Sequence, residues 1–483
     1  MGRRKIMLLW GGIAVAIALR SILMGINAPL LLGRSVEVAT PITSLKRLAE
    51  GYWRKQLGMS PYTGGTYHGS PLLLVCLGHY LEKSLIIFLI ADLSGALLLH
   101  LIGEILVTVN LKPSDLGDPN KSSLHTHDPE QLSTGNLAAL LYLLNPFTIV
   151  SCVGGSTSPI ENVIILLALY AAIAGNAPLA AFGWALATHL SLYPAILFIP
   201  VAVALVGGPD RPSRSLFQNL ATSINKNGKS IDGLHGRHQI LEGLKWQCLF
   251  DLIAWSGIWW LSILGFCSLV LHKQPNGLYE MFKETYGFIL TVEDLTPNMG
   301  LFWYFFMEVF DFFRPFFLMV FHANILCMLL PLTIRLHHRP LFLSFIFIVV
   351  WTVLKSYPSV GDMALYFGLM TLFMEELLGF RYAFLLLNGY ICTAILGPVM
   401  YNLWIWRGTG NANFYFATAL VHAFIQIILI VEGVSTMLKY DRSLKKLVDS
   451  LRDCDAHKVP HNEQSEPPPP VEVLTSPIAT ARA

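Results

Sequence analysis

Charged residues are scarce in this chain of 483 residues, in which lysine, arginine, aspartate and glutamate together make up 13%. Hydrophobic residues make up 54%, and the mean hydropathy is +0.55. A soluble globular protein does not fit this composition, so a protein that crosses a membrane several times is expected. The formal net charge of +2 gives no support for binding to nucleic acid.

Cysteine pairs with metal-binding or redox spacing are also missing. Of the seven cysteines, six lie in apolar stretches and Cys454 lies in the polar C-terminal part, and no two of them form a CxxC pair. The sequence therefore predicts neither a disulfide framework nor a metal site, and no cofactor is expected.

The N-terminus lacks the small-residue signature of a cleavage site, because Met1-Gly-Arg-Arg-Lys5 leads directly into a long apolar run. This pattern predicts a retained signal anchor whose basic flank stays in the cytosol. No internal repeat is evident either, which disfavours a solute transporter built from inverted halves.

Long apolar stretches separated by turn residues predict an all-α polytopic membrane protein with about twelve transmembrane helices. The stretch 179–206 is ambiguous, since it fits one tilted helix or two short helices hinged between His189 and Pro194. Two helices are expected there, because only they place the basic loop that follows in the cytosol. The other expected spans are 6–32, 84–109, 137–153, 160–174, 249–271, 316–334, 341–354, 363–377, 382–404 and 414–437.

These spans form one membrane domain, residues 1–438, with both termini in the cytosol. Before the second span we expect an amphipathic interfacial helix around Leu45 and Trp53 and a half-helix at 71–80. The charged, proline-rich tail 439–483 is expected to be cytosolic and mostly disordered. The expected lumenal loops are about 33–83, 272–315, 355–362 and 405–413, and the expected cytosolic loops are about 110–136 and 207–246.

The most unusual stretch is 294–310, in which turn residues around Pro297 precede a dense run of aromatic residues interrupted by Glu308. Aromatic rings with polar edges favour the headgroup region of a bilayer. We expect this segment to lie at the lumenal membrane surface rather than to cross the bilayer. The alternative is an ordinary aromatic belt at the start of a spanning helix.

Two further lumenal turns carry polar groups with two possible roles. Lys355 and Asp362 bracket a turn between spans, and they can pair with each other or meet a lipid headgroup. Asn411 and Asn413 can hydrogen-bond a polar headgroup or cap the helix that begins nearby.

Groups suited to catalysis are sparse on the lumenal side. A membrane glycosyltransferase that uses a lipid-linked sugar needs lumenal carboxylates, and glycosyltransferases of the GT-C type usually carry an acidic pair in the first lumenal loop. Residues 33–70 contain only Glu37 and Glu50, and the adjacent pair Glu293 and Asp294 comes much later. No thiol has an evident lumenal histidine partner. The sequence therefore does not support catalysis by this chain.

Several sequence blocks resemble the PIG-U family, the polytopic subunit of the glycosylphosphatidylinositol (GPI) transamidase of the endoplasmic reticulum. The most specific block is 294–306. The loops 110–136 and 207–245 and the tail do not share the resemblance. The other matching blocks are Val36-Glu-Val38 with Pro41, Ser60-Pro-Tyr-Thr-Gly64, Leu144-Asn-Pro-Phe-Thr148, Ser191-Leu-Tyr-Pro194, 355–366 and Asn411-Ala-Asn-Phe414.

The resemblance implies a GT-C-like scaffold, with lumenal interfacial and re-entrant helices, that has lost catalysis and that binds and presents the GPI lipid for attachment to proproteins. The implied partners are the GPI lipid and the other transamidase subunits, namely the protease-like PIG-K, PIG-T, PIG-S and a Gaa-type subunit. The alternative is an active GT-C mannosyltransferase that uses a dolichol-linked sugar. The expected lipid-binding residues are Asn298, Trp303, Tyr304, Lys355, Tyr357, Asp362, Asn411 and Asn413.

Overall fold

The computed structural model describes residues 2–111, 133–210, 234–274 and 276–456, with side chains described from 7 to 108, 133 to 210, 246 to 274 and 276 to 446. Within these ranges the chain is helical, and its sole β-type contact is an isolated bridge between Ser44 and Ser156. The α-helices, numbered in chain order, are α1 Gly2–Gly25, α2 Ala28–Leu32, α3 Leu45–Gln56, α4 Pro71–Gly78, α5 Ser84–Leu111, α6 Thr134–Leu144, α7 Pro146–Val153, α8 Ser158–Ile173, α9 Ala177–Leu190, α10 Phe198–Gly207, α11 Leu234–Val270, α12 Gly277–Phe282, α13 Phe288–Thr291, α14 Phe302–Glu308, α15 Arg314–Leu336, α16 Pro340–Val353, α17 Val360–Met370, α18 Met374–Leu377, α19 Ala383–Tyr401 and α20 Ala412–Ala456.

Six segments of the described chain are long and apolar enough to cross a membrane, and a seventh is present if the bent pair α6 and α7 counts as one span. The polytopic all-α architecture is therefore confirmed. The expected count of twelve is not reached by this criterion, because the expected spans 137–153 and 363–377 are divided into shorter helices, and others, such as α8 and α16, have fewer than 18 residues. The six segments are Met7–Gly25, Leu81–Thr108, Trp246–Val270, Asp311–Leu336, Ala383–Trp406 and Ala412–Lys446.

Local chemistry explains where the expected spans break. The first ends early because Asn27 adopts a left-handed conformation with φ of 60°. The stretch 179–206 forms two elements, α9 and a 3₁₀ turn that continues into α10, with the break at Ser191. The bend of 50° between α6 and α7 lies at Asn145, whose side chain accepts a hydrogen bond from Phe147 N at 3.0 Å and so caps α7.

A buried ion pair connects α1 to this bend. Arg20 donates to Asp92 Oδ2 from Nε and Nη2 at 3.2 and 3.0 Å, and both side chains are buried. Arg20 Nη1 also donates to the carbonyl of Leu143 at 2.8 Å. Pro146 has no N–H and the N–H of Phe147 bonds Asn145, so Arg20 replaces the missing main-chain donor at the end of α6.

Helix α16 forms the centre of the bundle. Every one of its residues is buried, as expected for a helix that is apolar on all faces, and it contacts α10, α15, α17 and α20. The carboxylate of Asp210 accepts hydrogen bonds from Leu341 N and Phe342 N at 2.6 and 3.0 Å, which fixes the start of α16. Around it, α5 packs on α6 and α8, α9 packs on α8 and α11, and α19 packs on α20.

The last helix is longer than the expected span 414–437. Helix α20 continues past residue 438 to Ala456, into the segment that was predicted to be mostly disordered. Neither glycine nor proline interrupts the sequence from 434 to 456, and Leu444, Leu447 and Leu451 recur at helical spacing. The remainder of the predicted tail, and most of the two predicted cytosolic loops, lie outside the described residues.

Candidate functional site

A long cavity of about 1030 Å³ lies between α2, the bend of α6 and α7, α17, α19 and α20. Its lining extends from Val360 to Met370 on α17 and from Ala383 to Pro398 on α19. At a rise of 1.5 Å per residue these stretches correspond to about 15 and 22 Å. Most lining side chains are apolar, among them Leu141, Phe147, Phe367, Leu386, Ile391 and Leu429.

One end of this cavity is polar, because Ser35, Glu37 and Ser359 line it. The carboxylate of Glu37 accepts hydrogen bonds from Ser35 Oγ and, at 3.1 Å, from Tyr415 OH. The carbonyl of Glu37 accepts from Val360 N at 3.0 Å and thereby ties this loop to the start of α17. Glu37 belongs to the matching block Val36-Glu-Val38, but its role was not predicted, since Tyr415 lies 378 positions away in sequence.

The aromatic stretch 294–310 lies beside this polar end. Helix α14 has only seven residues, too few to cross a bilayer, and it buries Phe302, Trp303 and Phe306. The ring of Trp303 lies 5.9 Å from that of Trp404 and 6.1 Å from that of Tyr415, between ring centroids. Because Tyr415 donates to Glu37, this aromatic cluster connects the stretch to the cavity. The buried indole N–H of Trp303 has no hydrogen-bond partner among the residues that the structure describes.

Two of the predicted binding residues hold the loops that surround the polar end. The Oδ1 of Asn298 accepts from Gly300 N at 2.7 Å and its Nδ2 donates to the carbonyl of Thr296 at 3.2 Å, inside one turn. The hydroxyl of Tyr357 accepts from Asp294 N at 3.1 Å. Burial raises the pKa of Tyr357, so its hydroxyl remains neutral. Both side chains are buried.

Lys355 and Asp362 pair with each other, as one of the two alternatives predicted. Lys355 Nζ lies 2.8 and 3.1 Å from the oxygens of Asp362, which also accept from Ser359 N and Ser359 Oγ. Burial alone would lower the pKa of Lys355, but the carboxylates of Asp362 and Glu161 outweigh it and the pKa is raised. Lys355 therefore stays charged, and its hydrogen bonds with Asp362 fix the start of α17.

Asn411 and Asn413 have different partners. Asn411 Oδ1 accepts from Phe414 N at 3.3 Å, so Asn411 caps α20 as the capping alternative predicted. Asn413 Oδ1 instead accepts from the hydroxyl of Tyr304, whose ring stacks on Phe416 with centroids 4.4 Å apart. Both asparagines are exposed, and each keeps its amide NH₂ available to a further acceptor.

None of the eight predicted residues, all of which lie in the described part of the chain, lines the cavity directly. Asn298, Tyr357 and Asp362 each precede a lining residue, namely Met299, Pro358 and Met363. They therefore surround the polar end of the cavity from outside.

A second polar group along the cavity was not predicted. Thr393 Oγ1 lies 3.1 Å from His422 Nδ1, and Gln426 Nε2 lies 3.2 Å from His422 Nε2 and 3.4 Å from the hydroxyl of Tyr366. His422 and Gln426 are four positions apart, so the sequence alone indicates that they share one helix face. Their partners on α17 and α19 become evident only in the fold.

A family model described as GPI transamidase subunit PIG-U matches residues 14–422 of this chain. The chain belongs to the PIG-U family. It is 33% identical over 437 residues to the GPI-anchor transamidase component PIGU of Homo sapiens, covering 88% of this chain and 93% of that protein. It is 30% identical over 439 residues to the GPI transamidase component GAB1 of Saccharomyces cerevisiae, covering 90% and 95%. The family expected from the resemblance is thus confirmed.

A partial similarity connects this PIG-U family member to a glycosyltransferase. Over 153 residues it is 29% identical to GPI mannosyltransferase 1 of Debaryomyces hansenii, which covers 30% of this chain and 32% of that protein. Both carboxylates of the acidic pair that such an enzyme would need already accept hydrogen bonds, and Glu293 accepts from Thr291 Oγ1 at 3.1 Å. Asp294 binds Arg47 Nη2 at 3.0 Å and accepts from Thr296 N at 2.9 Å, whereas Glu293 is exposed. Burial opposes ionisation of Asp294, but these hydrogen bonds and Arg47 outweigh it and lower its pKa.

The structure also differs from the expectation that no thiol has a histidine partner. In this PIG-U family member Cys267 Sγ lies 3.4 Å from His189 Nε2, which also contacts Ser70 Oγ at 2.7 Å. The hydroxyl of Tyr286 lies 3.0 Å from His189 Nδ1. Cys267, His189 and Ser70 are all buried, so the thiol has no access to a substrate in this conformation.

Proposed function

We propose that this chain is a component of GPI transamidase that binds the GPI lipid in the described cavity and presents it for attachment to proproteins, without supplying a catalytic group of its own. The observation that carries the proposal is the cavity itself, which is mostly apolar along its length, apart from the group at Thr393, His422 and Gln426, and polar at one end. A lipid with acyl chains and a polar headgroup requires this division.

The apolar walls suit the acyl chains. Stretches of about 15 to 22 Å along α17 and α19 give room for chains to lie parallel to the helices. Their burial against residues such as Phe367 and Ile391 would contribute about 25 cal/mol for each Å² of apolar surface removed from a competing environment of water. A lipid that enters from the bilayer gains little from this burial, because its acyl chains are already out of water. The shape and the polar end of the cavity therefore give the selectivity.

The polar end suits the headgroup. We assign contacts with the hydroxyl groups of the glycan to Ser35, Glu37 and Ser359, which line the cavity. Tyr304, Asn411 and Asn413 form an exposed outer group beside the same aromatic cluster. Asn298, Tyr357, Lys355 and Asp362 keep the surrounding loops in place.

The membrane arrangement and the partners belong to the same proposal. The polar end of the cavity faces the lumen of the endoplasmic reticulum, and the short helices complete a GT-C-like arrangement of about twelve spans in a multi-pass protein. The lipid is presented there to the protease-like PIG-K subunit, together with PIG-T, PIG-S and a Gaa-type subunit. Support comes from the family membership and from the positive-inside rule.

A cavity-filling substitution tests the lipid site. Ala394 is exposed and lines the cavity on α19, so Ala394→Phe places a phenyl ring in the space assigned to an acyl chain. Ala254 is exposed on α11 and does not line the cavity, so Ala254→Phe is the matched control. Each variant replaces the native protein in cells that display a GPI-anchored reporter. Ala394→Phe should reduce surface display while the complex is recovered intact, and Ala254→Phe should leave both unchanged. Normal display with Ala394→Phe would contradict the lipid site.

The second candidate function is a GT-C mannosyltransferase, which the partial similarity to GPI mannosyltransferase 1 favours. Against it stands Asp294, whose carboxylate is engaged by Arg47 and the turn at Thr296. The discriminating substitution is Glu293→Gln/Asp294→Asn, which removes both charges of the acidic pair.

A further inference from the structure

Helix α15 is attached to the rest of the described structure along one narrow edge. Its buried residues are Ile325, Leu329 and Leu336, which lie on one face because they are four and seven positions apart. Its segment of membrane-spanning length, Asp311–Leu336, has only 11% of its apolar window buried. Most of α15 therefore faces outward.

Asn324 is the exposed polar residue at the middle of this helix. It lies about 18 to 20 Å from either end of the segment Asp311–Leu336, at 1.5 Å per residue. The structure gives its side-chain amide no hydrogen bond among the described residues. An amide at this depth faces hydrocarbon rather than water, so leaving it unpaired is unfavourable.

A main-chain carbonyl on the same side lacks its usual helical donor. Pro331 is inside α15 and has no N–H, so the carbonyl of Cys327 loses its usual partner four residues later. Asn324 and Pro331 are seven positions apart, which is close to two helical turns, and Cys327 lies between them. All three residues therefore share one face of α15. This face offers an amide and a main-chain carbonyl in the middle of an apolar segment.

Asn388 on α19 shows that an exposed asparagine in a span does not need an external partner. It too is exposed in a segment of spanning length, but its Nδ2 donates to the carbonyl of Phe384 at 2.8 Å in its own helix. Asn324 makes no equivalent bond, so the two asparagines form a matched pair in this chain.

We propose that the exposed stripe Val320, Asn324, Cys327 and Pro331 of α15, called the α15 stripe, is the docking surface for a spanning helix of another transamidase polypeptide. That helix presents a side chain able to donate and accept hydrogen bonds, such as serine, threonine, asparagine or glutamine, to Asn324 and to the carbonyl of Cys327. The identity of the partner class rests on the proposed function.

Photocrosslinking tests this surface in the full chain in cell membranes. Benzoylphenylalanine replaces Val320 in three backgrounds: the native chain, Asn324→Leu and Asn388→Leu. Crosslinked peptides are identified by mass spectrometry after purification in mild detergent.

In the native background we expect a crosslink to a spanning segment of another transamidase subunit. Asn324→Leu should lower its yield about threefold, and up to about twentyfold, as the range for hydrogen bonds between membrane helices implies. Asn388→Leu should leave the yield unchanged.

The outcomes separate this inference from the proposed function. An unchanged yield with Asn324→Leu, or crosslinks to lipid alone or to a second copy of this chain, overturns the docking surface while the complex is still recovered. Failure of any transamidase subunit to co-purify with the native chain overturns the proposed function itself.

Discussion

The buried pair of Arg20 and Asp92 gives a quantitative test of how the bend beside the cavity is held. Arg20→Leu leaves the carboxylate of Asp92 buried without a partner, which costs about 3–5 kcal/mol when one member of a buried pair is removed. It also removes the donor to the carbonyl of Leu143, whose loss costs about 1–3 kcal/mol by itself. The bend bears Leu144, Asn145 and Pro146, all of which line the cavity.

The double variant Arg20→Leu/Asp92→Leu separates these two effects. It removes both charges, so the cost of an unpaired charge disappears and the cost of about 1–3 kcal/mol at Leu143 remains. The double variant should therefore unfold at a higher temperature than Arg20→Leu alone, when purified chains are heated in mild detergent. Ser21→Leu is the matched control on α1, since the exposed Ser21 hydroxyl bonds only its own helix carbonyl at Ile17. Equal destabilisation by the single and double variants, or a shift of the same size with Ser21→Leu, would refute the reasoning.

Three further predictions follow from the site. Replacing Asn411 and Asn413 together by alanine should lower display of a GPI-anchored reporter several-fold with the complex intact, because each hydrogen bond lost at a partly wet site costs about 0.5–1.5 kcal/mol; normal display would refute their contact with the headgroup. Glu293→Gln/Asp294→Asn should retain activity in the assembled complex, and complete loss of activity there would favour the mannosyltransferase instead. A cysteine that replaces Asn411, in a chain without other exposed cysteines, should react with an impermeant label from the lumenal side only, and labelling from the cytosol would contradict the topology.

The helical architecture was predictable because hydropathy identifies apolar segments well. The number of spans was harder to predict, because a hydropathy pattern does not distinguish a spanning helix from a helix buried among others. Helix α16 illustrates this: it has 14 residues, every one of them buried, and it lies at the centre of the bundle. The break at Asn145 and Pro146 was not predicted, although asparagine before proline is a local signal for the start of a new helix.

The site was harder to predict than the fold. The sequence identified turns with unusual polar residues, and most of these turns do surround one end of the cavity. It could not show which polar groups already have hydrogen-bond partners in the fold. Lys355 pairs with Asp362, and Asn298 accepts from Gly300 N. Glu37 was missed because its partner Tyr415 lies near the other end of the chain.

The long α20 and the contact between Cys267 and His189 show two further limits. Helical spacing continues from the expected last span into the first part of the tail, and α20 extends to Ala456. The thiol and the imidazole lie on segments 78 positions apart, so no local pattern announced their contact.

Direct capture of the lipid is the measurement that tests the central claim. A GPI analogue with a photoreactive group near the end of one acyl chain is incubated with the assembled complex, irradiated, and the modified residues are located by mass spectrometry. We expect modification of cavity residues on α17 and α19, such as Phe367, Leu387 or Ile391, and its loss in the Ala394→Phe variant but not in Ala254→Phe. Modification confined to other subunits or to the outward faces of α11 and α15, with no change in Ala394→Phe, would contradict the claim.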